Sequence, residues 1–218
     1  MPRFHQQLLQ RAEPVWKMML DHRFLAETAA GTIARETFAN WMKQDYLFAR
    51  GAVPFLSILS AKAPVQYSKS LSDALVAIHQ ELALFERMAR EHDVSFESIA
   101  MSPTCHAYVQ FLVATAYGRS FAEGFAVLYG AEKAYLDSWT WVKEHQQEES
   151  PWKAFINNWT SDAFRGYVDW LAATLDTLAE EASKSVREAM TELFLLSGQY
   201  EILFWEMAAA GETWPVEV

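Results

Sequence analysis

Basic residues and cysteine are both scarce in this 218-residue chain. The 18 Lys and Arg residues are outnumbered by 28 Asp and Glu residues, and the formal net charge is -10. Because phosphate groups are bound by basic surfaces, this charge argues against DNA or RNA as a partner and against adsorption to an anionic membrane. The single cysteine, Cys105, excludes an intramolecular disulfide framework and is typical of a reducing compartment.

Long apolar runs are missing as well. No stretch approaches the roughly 18 consecutive apolar residues of a membrane-spanning helix, and the N-terminus lacks the apolar core of a signal peptide. The sequence therefore predicts a cytoplasmic protein without a membrane partner. Aromatic residues, in contrast, are plentiful: the chain contains 9 Trp, 14 Phe and 8 Tyr, and we expect some of these rings to line a binding site.

Apolar residues recur at intervals of three and four, the period of an α-helix, through nearly the whole sequence. This pattern predicts helices over residues 3–20, 34–62, 66–92, 103–118, 121–146, 152–158, 161–180 and 182–209. No hairpin signal, internal repeat or low-complexity linker is visible. Long helices with short connections predict an all-α, antiparallel helical bundle, built as a single domain over residues 1–218.

Helix boundaries carry recognisable signals. Ser102–Pro103 and Ser150–Pro151 are each typical of an N-cap followed by proline at the first helical position. Ser120 and Glu123 have the spacing of a capping box. Pro54 lies inside a helical pattern, where the missing N–H predicts a kink or a break.

Three acids interrupt the apolar stripes of the predicted helices, namely Asp45, Glu132 and Glu201. Each has aromatic residues three or four positions away, and these spacings share a helix face. A buried carboxylate is costly unless it has a partner or a chemical role. For any one acid, a structural hydrogen bond or a wetted helix face is an alternative. The three together favour a pocket for a flat, nitrogen-containing ring, which stacks on aromatic faces and bonds to the acids.

Metal-ligand spacings are not found. None of the six histidines has an acid three residues before it, as di-iron bundles require, and neither His-Glu-x-x-His nor a Gly-rich phosphate loop occurs. We expect no metal and no cofactor, with haem ligation by His22 or another histidine left open. Cys105 begins a predicted helix, where the dipole lowers a thiol pKa, but no base is positioned near it, because His106 points about 100° away around the helix. A passive role for Cys105 is the preferred interpretation.

Two groups of motifs resemble the TenA/thiaminase-II family. The first is similar to the opening blocks of that family and consists of His22-Arg-Phe-Leu, Gly31-Thr32 and Gln44-Asp45-Tyr46-Leu-Phe48. It departs at Arg23, where proline is usual. The second is similar to the pocket and C-terminal blocks and consists of Tyr108, Ala131-Glu-Lys-Ala-Tyr135, Trp159 and Tyr200-Glu-Ile-Leu-Phe-Trp205. Trp159 stands where tyrosine is usual, and the resemblance covers essentially the whole chain.

The resemblance implies a haem-oxygenase-like helical fold without haem. It also implies hydrolysis of an aminopyrimidine fragment, or of thiamin itself, in thiamin salvage. In cysteine-bearing members of the family a thiolate attacks the pyrimidine ring, an Asp holds the amino and nitrogen edge, and a C-terminal Glu handles protons. The matching positions in this chain are Asp45, Tyr108, Tyr135 and Glu201.

The nucleophile is the main departure from the family, because Ala131 occupies its place and alanine cannot form a covalent adduct. This resembles a subgroup that lacks the cysteine and in which a glutamate is thought to substitute. Glu132 is the candidate, since it flanks the same stripe one turn before Tyr135. A carboxylate in an aromatic pocket can have a raised pKa and serve as a general acid or base.

These inferences lead to one hypothesis, metal-independent hydrolysis of an aminomethyl or N-formylaminomethyl group on a 2-methylpyrimidine. The residues that would enclose or bind the ring are Phe48, Tyr108, Tyr135 and Trp159. Asp45 would bind the nitrogen edge, Glu201 would protonate the leaving nitrogen or activate water, and Glu132 would be the complementary carboxylate. The alternatives are a haem- or quinone-precursor-oxidising enzyme of the same fold and a non-catalytic pyrimidine-binding or regulatory protein. The resemblance also implies a homo-oligomer, either a dimer or a tetramer.

Overall fold

The structure, a computed structural model, describes residues 2–216. Over this range the chain forms ten α-helices and no strand, so the predicted all-α class is confirmed. The helices in chain order are α1 (Phe4–Arg11), α2 (Glu13–Leu20), α3 (Arg23–Ala30), α4 (Arg35–Lys62), α5 (Val65–Glu91), α6 (Pro103–Gly118), α7 (Phe121–His145), α8 (Lys153–Trp159), α9 (Asp162–Glu181) and α10 (Lys184–Ala210). None of the helices in residues 2–216 combines the length and hydropathy of a membrane span.

The N-terminal region contains three helices where the periodicity predicts one. The predicted helix over 3–20 divides at Ala12, which ends α1 and begins α2. Pro14 lies in the first turn of α2, where a backbone N–H has no helical partner and its absence therefore costs nothing. The same proline prevents α1 from continuing through this position, because it has no N–H to donate to the preceding turn. Helix α3 is not predicted from the sequence. It has eight residues, begins at a cap formed by the His22 side chain, and ends at Gly31 in the left-handed conformation (φ 70°).

The predicted capping signals are largely confirmed. The Ser102 hydroxyl accepts a hydrogen bond from the Cys105 N–H at 3.3 Å, at the start of α6. Ser120 and Glu123 form the reciprocal pair of a capping box, with N–H to side-chain distances of 3.0 and 3.3 Å. At Ser150 the hydroxyl instead accepts from the Trp152 N–H at 3.1 Å, and α8 begins at Lys153.

The predicted break at Pro54 does not occur, because α4 is continuous from Arg35 to Lys62. Pro54 is exposed, so the carbonyl that loses its helical N–H partner, four residues earlier, lies on the solvent side. The hydroxyl of Ser57 adds a bond to the Val53 carbonyl at 2.8 Å. A proline on the solvent-exposed face is therefore accommodated within this long helix.

The helices belong to two compact units. The first unit comprises the chain up to Ile33 together with Phe125–Glu206, and the second comprises Ala34–Gly124 together with the chain from Met207 onward. The expectation of one domain over residues 1–218 stays a prediction.

Glycines permit close helix contacts in each unit. In the second unit a Cβ on Gly51 of α4 would lie 2.6 Å from the Val109 side chain of α6. In the first unit a Cβ on Gly130 of α7 would overlap the Ser197 hydroxyl of α10. Each pair therefore approaches at a distance that only glycine allows.

Candidate active site

Two of the three acids are deeply buried within their helices. Asp45 of α4 is 2% exposed and Glu201 of α10 is 0% exposed, as their places in apolar stripes predict. Glu132 of α7 is only half-buried. A carboxylate held away from water at 2% exposure or less is costly to keep, which singles out Asp45 and Glu201 as candidates for a chemical role.

The second unit brings Asp45 near two of the predicted ring-binding residues. Phe48, one helical turn after Asp45, packs against Tyr108 of α6 with ring centroids 4.8 Å apart and planes tilted by 42°. The contact between Gly51 and Val109 lies one turn from Phe48 and one residue from Tyr108, and it brings the two helices together at this level. Phe48 and Tyr108 therefore form an aromatic pair between α4 and α6, in which Tyr108 is buried.

Cys105 is a structural thiol in this arrangement. Its side chain is 0% exposed, and the thiol donates a hydrogen bond to the main-chain carbonyl of Gln44 at 3.4 Å. Burial, and then the nearby carboxylates of Asp45 and Glu212, raise the pKa of the Cys105 thiol. The lowered thiol pKa that the helix dipole predicts is therefore not found, because burial and the two carboxylates outweigh the dipole, and the neutral thiol is the form present near neutral pH.

The first unit brings the two predicted glutamates onto helices in direct contact. Gly130 of α7 meets Ser197 of α10, and Glu132 follows Gly130 by two residues while Glu201 follows Ser197 by one turn. The Ser197 hydroxyl donates to the Phe194 carbonyl at 2.7 Å, so it is committed to its own helix. The close approach of α7 and α10 is thus possible because Gly130 has no side chain, and the contact lies near both Glu132 and Glu201 in the sequence.

Aromatic rings surround this part of the first unit. Tyr135 meets Trp159 edge to face at 5.3 Å and stacks on Trp205 at 5.6 Å. Trp159 also has two nearly parallel neighbours, Trp139 at 5.3 Å and Phe155 at 5.7 Å. The structure therefore brings Tyr135 and Trp159 together, and it builds Trp159 into the core. That Trp159 forms one wall of a ring pocket stays a prediction.

His22 caps α3 and has a defined tautomer. Its Nδ1 accepts a hydrogen bond from the Phe24 N–H at 3.2 Å, so the proton lies on Nε2, which donates to the Glu206 carboxylate at 3.1 Å. Burial is the larger effect on this ring and lowers the pKa of His22, although the hydrogen bond to Glu206 acts in the opposite direction. Both ring nitrogens are thus engaged with the protein.

Sequence reasoning missed a set of polar contacts around the start of α6. The Gln44 side chain donates to the Ala100 carbonyl at 3.0 Å and accepts from the Ser102 N–H at 2.9 Å. The Glu212 carboxylate accepts from the Thr104 N–H at 2.8 Å. A local signal exists only for Gln44, which stands in the Gln-Asp-Tyr motif, because Glu212 and Thr104 are 108 positions apart.

Comparison with known proteins identifies first the class and then the family. The fold is that of the haem-oxygenase-like proteins: a solved structure from Shewanella denitrificans with that fold has a TM-score of 0.75 and 14% identity, covering 94% of this chain and 92% of that one. Residues 9–211 match the TENA/THI-4/PQQC family, so the chain belongs to that family.

Two relatives are similar over nearly their full length. A TenA homologue from Pyrococcus furiosus is 36% identical with a TM-score of 0.92, covering 94% of this chain and 99% of that one. The aminopyrimidine aminohydrolase of Bacillus subtilis is 26% identical over an alignment of 220 positions, which covers 97% of this chain and 92% of that protein.

Proposed function

We propose that this protein is an aminopyrimidine aminohydrolase of thiamin salvage, which needs no metal or cofactor. The observation that carries the proposal is the burial of Asp45 and Glu201, at 2% and 0% exposure, on helices that also carry packed aromatic rings. Similarity over nearly the full length to an aminopyrimidine aminohydrolase supports it. The substrate class is a small pyrimidine with an aminomethyl or N-formylaminomethyl group.

The proposed reaction is simplest for the aminomethyl compound. The oxygen of water forms a bond to the exocyclic methylene carbon, the bond from that carbon to the amino nitrogen breaks, and the products are a hydroxymethylpyrimidine and ammonia. Protonation of the leaving nitrogen lets ammonia rather than amide ion depart, and the attacking water must lose a proton to a base. Two carboxyl groups in different surroundings suit these opposite roles.

The residue roles follow from this chemistry. Asp45 binds the nitrogen edge of the ring, and Phe48 and Tyr108 contact its faces. Glu201 protonates the leaving nitrogen or activates the attacking water. Tyr135 and Trp159 are further binding residues.

We place the protein in the subgroup of the family without the active-site cysteine. Ala131 carries no nucleophile, and the only thiol of the chain is the buried Cys105 on another helix, with a raised pKa. Water must then attack without a covalent adduct to the protein. Glu132 is the complementary carboxylate to Glu201, a role supported by its half-buried place beside the contact between α7 and α10.

The test is steady-state hydrolysis of aminomethyl- and N-formylaminomethyl-pyrimidines by Glu201→Gln and Glu132→Gln. Each change keeps the shape of the side chain and removes its charge and its proton transfer, so we expect kcat/KM to fall by about a hundredfold or more. Glu192→Gln is the matched control, because Glu192 lies on the exposed face of α10, and its turnover should equal that of the wild type. Undiminished turnover in both site variants removes the assignment.

A homo-oligomer in the cytoplasm belongs to the same proposal. Leu203 of α10 and Met18 of α2 are 51% and 62% exposed, and a subunit contact that covered them would remove this apolar surface from water. Light scattering coupled to gel filtration should give the mass of a dimer or a tetramer. A mass of 24.9 kDa at micromolar concentration contradicts this part of the proposal.

A further inference from the structure

The C-terminal segment after α10 is fixed to the start of α6. Gly211 takes the left-handed conformation, with φ 65°, and the Glu212 N–H returns to the Met207 carbonyl at 3.1 Å, which ends the helix. The Glu212 carboxylate then accepts two hydrogen bonds from Thr104, from its N–H at 2.8 Å and from its hydroxyl at 3.1 Å. Trp214 adds a third bond, from its indole N–H to the Met101 carbonyl at 2.8 Å. Glu212 and Trp214, with these three bonds, are called the C-terminal clamp below.

A second set of hydrogen bonds, made by Gln44 of α4, holds the same turn. Gln44 of α4 bonds to the Ala100 carbonyl and the Ser102 N–H through its side chain. Its main-chain carbonyl accepts from the Cys105 thiol at 3.4 Å. Residues 100–105 are therefore held by α4 and by the C-terminal segment together.

The position of this turn matters for the proposed ring-binding residues. Thr104, which the clamp holds, lies one helical turn before Tyr108. Gln44 immediately precedes Asp45, and the Asp45 carboxylate is close enough to Cys105 to raise the pKa of its thiol. If the first turn of α6 moves, Tyr108 moves with it, away from its 4.8 Å contact with Phe48 and away from Asp45.

The chemistry of the clamp makes it strong. A carboxylate at the N-terminus of a helix interacts favourably with the helix dipole and accepts charge-assisted hydrogen bonds from the free N–H groups. Bonds of this kind change an equilibrium constant by about ten- to a hundredfold. The hydrogen bonds of Glu212 are made to Thr104, and none of them involves Asp45 or Tyr108.

We propose that Glu212 is a positioning residue: together with Trp214 it fixes the first turn of α6, so that Tyr108 and Asp45 are set to bind the pyrimidine ring before the ring arrives. This role rests on the proposed function. Loss of the clamp leaves the proton-transfer groups intact, and it raises KM because part of the binding energy is then used to order α6.

The first experiment uses Cys105 as a reporter that needs no turnover. It is the only cysteine, it is fully buried, and it lies in the turn that the clamp holds, so an aromatic disulfide reagent reaches it only when that turn opens. We expect the thiol of Glu212→Ala and of Trp214→Phe to react about tenfold faster than that of the wild type. Trp214→Phe keeps an aromatic ring at the contact with His106, although a smaller one, and removes the N–H donor.

Controls separate opening of this turn from a general loss of stability. Glu192→Ala on the exposed face of α10 should react at the wild-type rate. The thermal midpoint of the clamp variants should fall by no more than about 4 °C, as expected for a local contact in a chain of this size. A hydroxymethylpyrimidine should slow the reaction of the wild-type thiol. Wild-type thiol rates in both clamp variants overturn the proposal.

The second experiment is steady-state kinetics. For Glu212→Ala we expect KM to rise about tenfold with kcat within about twofold of the wild type. Glu212→Gln keeps an oxygen acceptor without the charge and should recover part of the lost affinity. A fall in kcat with KM unchanged contradicts a positioning role. If the wild type hydrolyses no aminopyrimidine, the proposed function fails, and the thiol rates alone then decide whether the clamp holds α6.

Discussion

Cys105 and His22 have side chains that often take part in catalysis, but in this protein both have structural roles. Cys105 carries the chain's only sulfur nucleophile, yet its thiol is sealed, hydrogen-bonded to the Gln44 carbonyl and raised in pKa. His22 has an imidazole, but both of its nitrogens serve the backbone and Glu206. This thiol and this imidazole are thus used for structure, and the proposal assigns the reactive roles to carboxylates.

Replacement of Cys105 by alanine should therefore leave the chemistry intact. A thiol that is neutral near pH 7 is not a nucleophile, so we expect kcat of Cys105→Ala within about threefold of the wild type. The measurement is steady-state hydrolysis of an aminomethylpyrimidine. Loss of all activity in a variant that still folds, judged by circular dichroism, would show that the thiol takes part.

His22 should make stability depend on pH. Its pKa is lowered in the folded protein from the ordinary 6.5, so the unfolded chain takes up a proton first as the pH falls. The contribution of neutral His22 to stability is fully present above about pH 6.5, decreases as the pH falls below that value, and is lost once the pH has passed the lowered pKa of the folded protein. His22→Asn keeps an N-cap that does not titrate, and urea unfolding at about pH 8 and pH 5.5 should show a smaller loss for this variant. Equal losses in the two proteins contradict the role of the cap.

At the scale of helices, the contact between α7 and α10 depends on Gly130. A Cβ there would overlap the Ser197 hydroxyl, so Gly130→Ala should lower the free energy of unfolding by about 1–3 kcal/mol. Gly166→Ala is the matched control, since Gly166 is exposed within α9 with no atom near an added Cβ. That change should stabilise the protein by about 0.5–1 kcal/mol.

A second variant tells crowding apart from backbone effects. Gly130→Ala combined with Ser197→Ala removes the overlapping oxygen and should recover part of the loss in urea unfolding. Activity should follow the same order, because the contact lies beside Glu132 and Glu201. Strictly additive effects of the two changes mean that the two residues do not interact.

Local signals explain which elements the sequence predicts well. The long helices carry apolar stripes of helical period, and the Ser102 cap lies three residues from the N–H that it accepts from. The same stripes predict the burial of Asp45 and Glu201. Helix α3 was missed because a histidine cap is unusual and eight residues give too little periodicity.

Contacts between distant positions explain what the sequence does not predict. The bond between Thr104 and Glu212 spans 108 positions and leaves no pattern along the chain. The stacking of Trp159 on Trp139 depends on how α7 and α8 pack, so a ring predicted for the pocket belongs to the core as well. Packing of this kind is decided by the tertiary structure rather than by spacing.

At the scale of the whole molecule, the net charge of -10 determines how solubility depends on pH. With 28 acidic and 18 basic residues and a sequence pI of about 5.1, the protein has a net negative charge at neutral pH, and this charge opposes non-specific aggregation. We expect its solubility to pass through a minimum near pH 5.1, where the net charge vanishes. Light scattering across a pH series at fixed ionic strength measures this directly. A minimum far from that pH would mean that large numbers of carboxyl groups titrate abnormally.

The sealed thiol of Cys105 has a practical consequence for inhibition. Compounds that disable enzymes by alkylating or oxidising an exposed sulfhydryl find no target in the resting protein. An inhibitor that suits the proposed site is instead a flat cationic heteroaromatic, which offers its ring edge to a carboxylate and its faces to aromatic side chains. Peroxide at concentrations that inactivate cysteine-bearing members of the family should leave the catalytic activity of this protein unchanged.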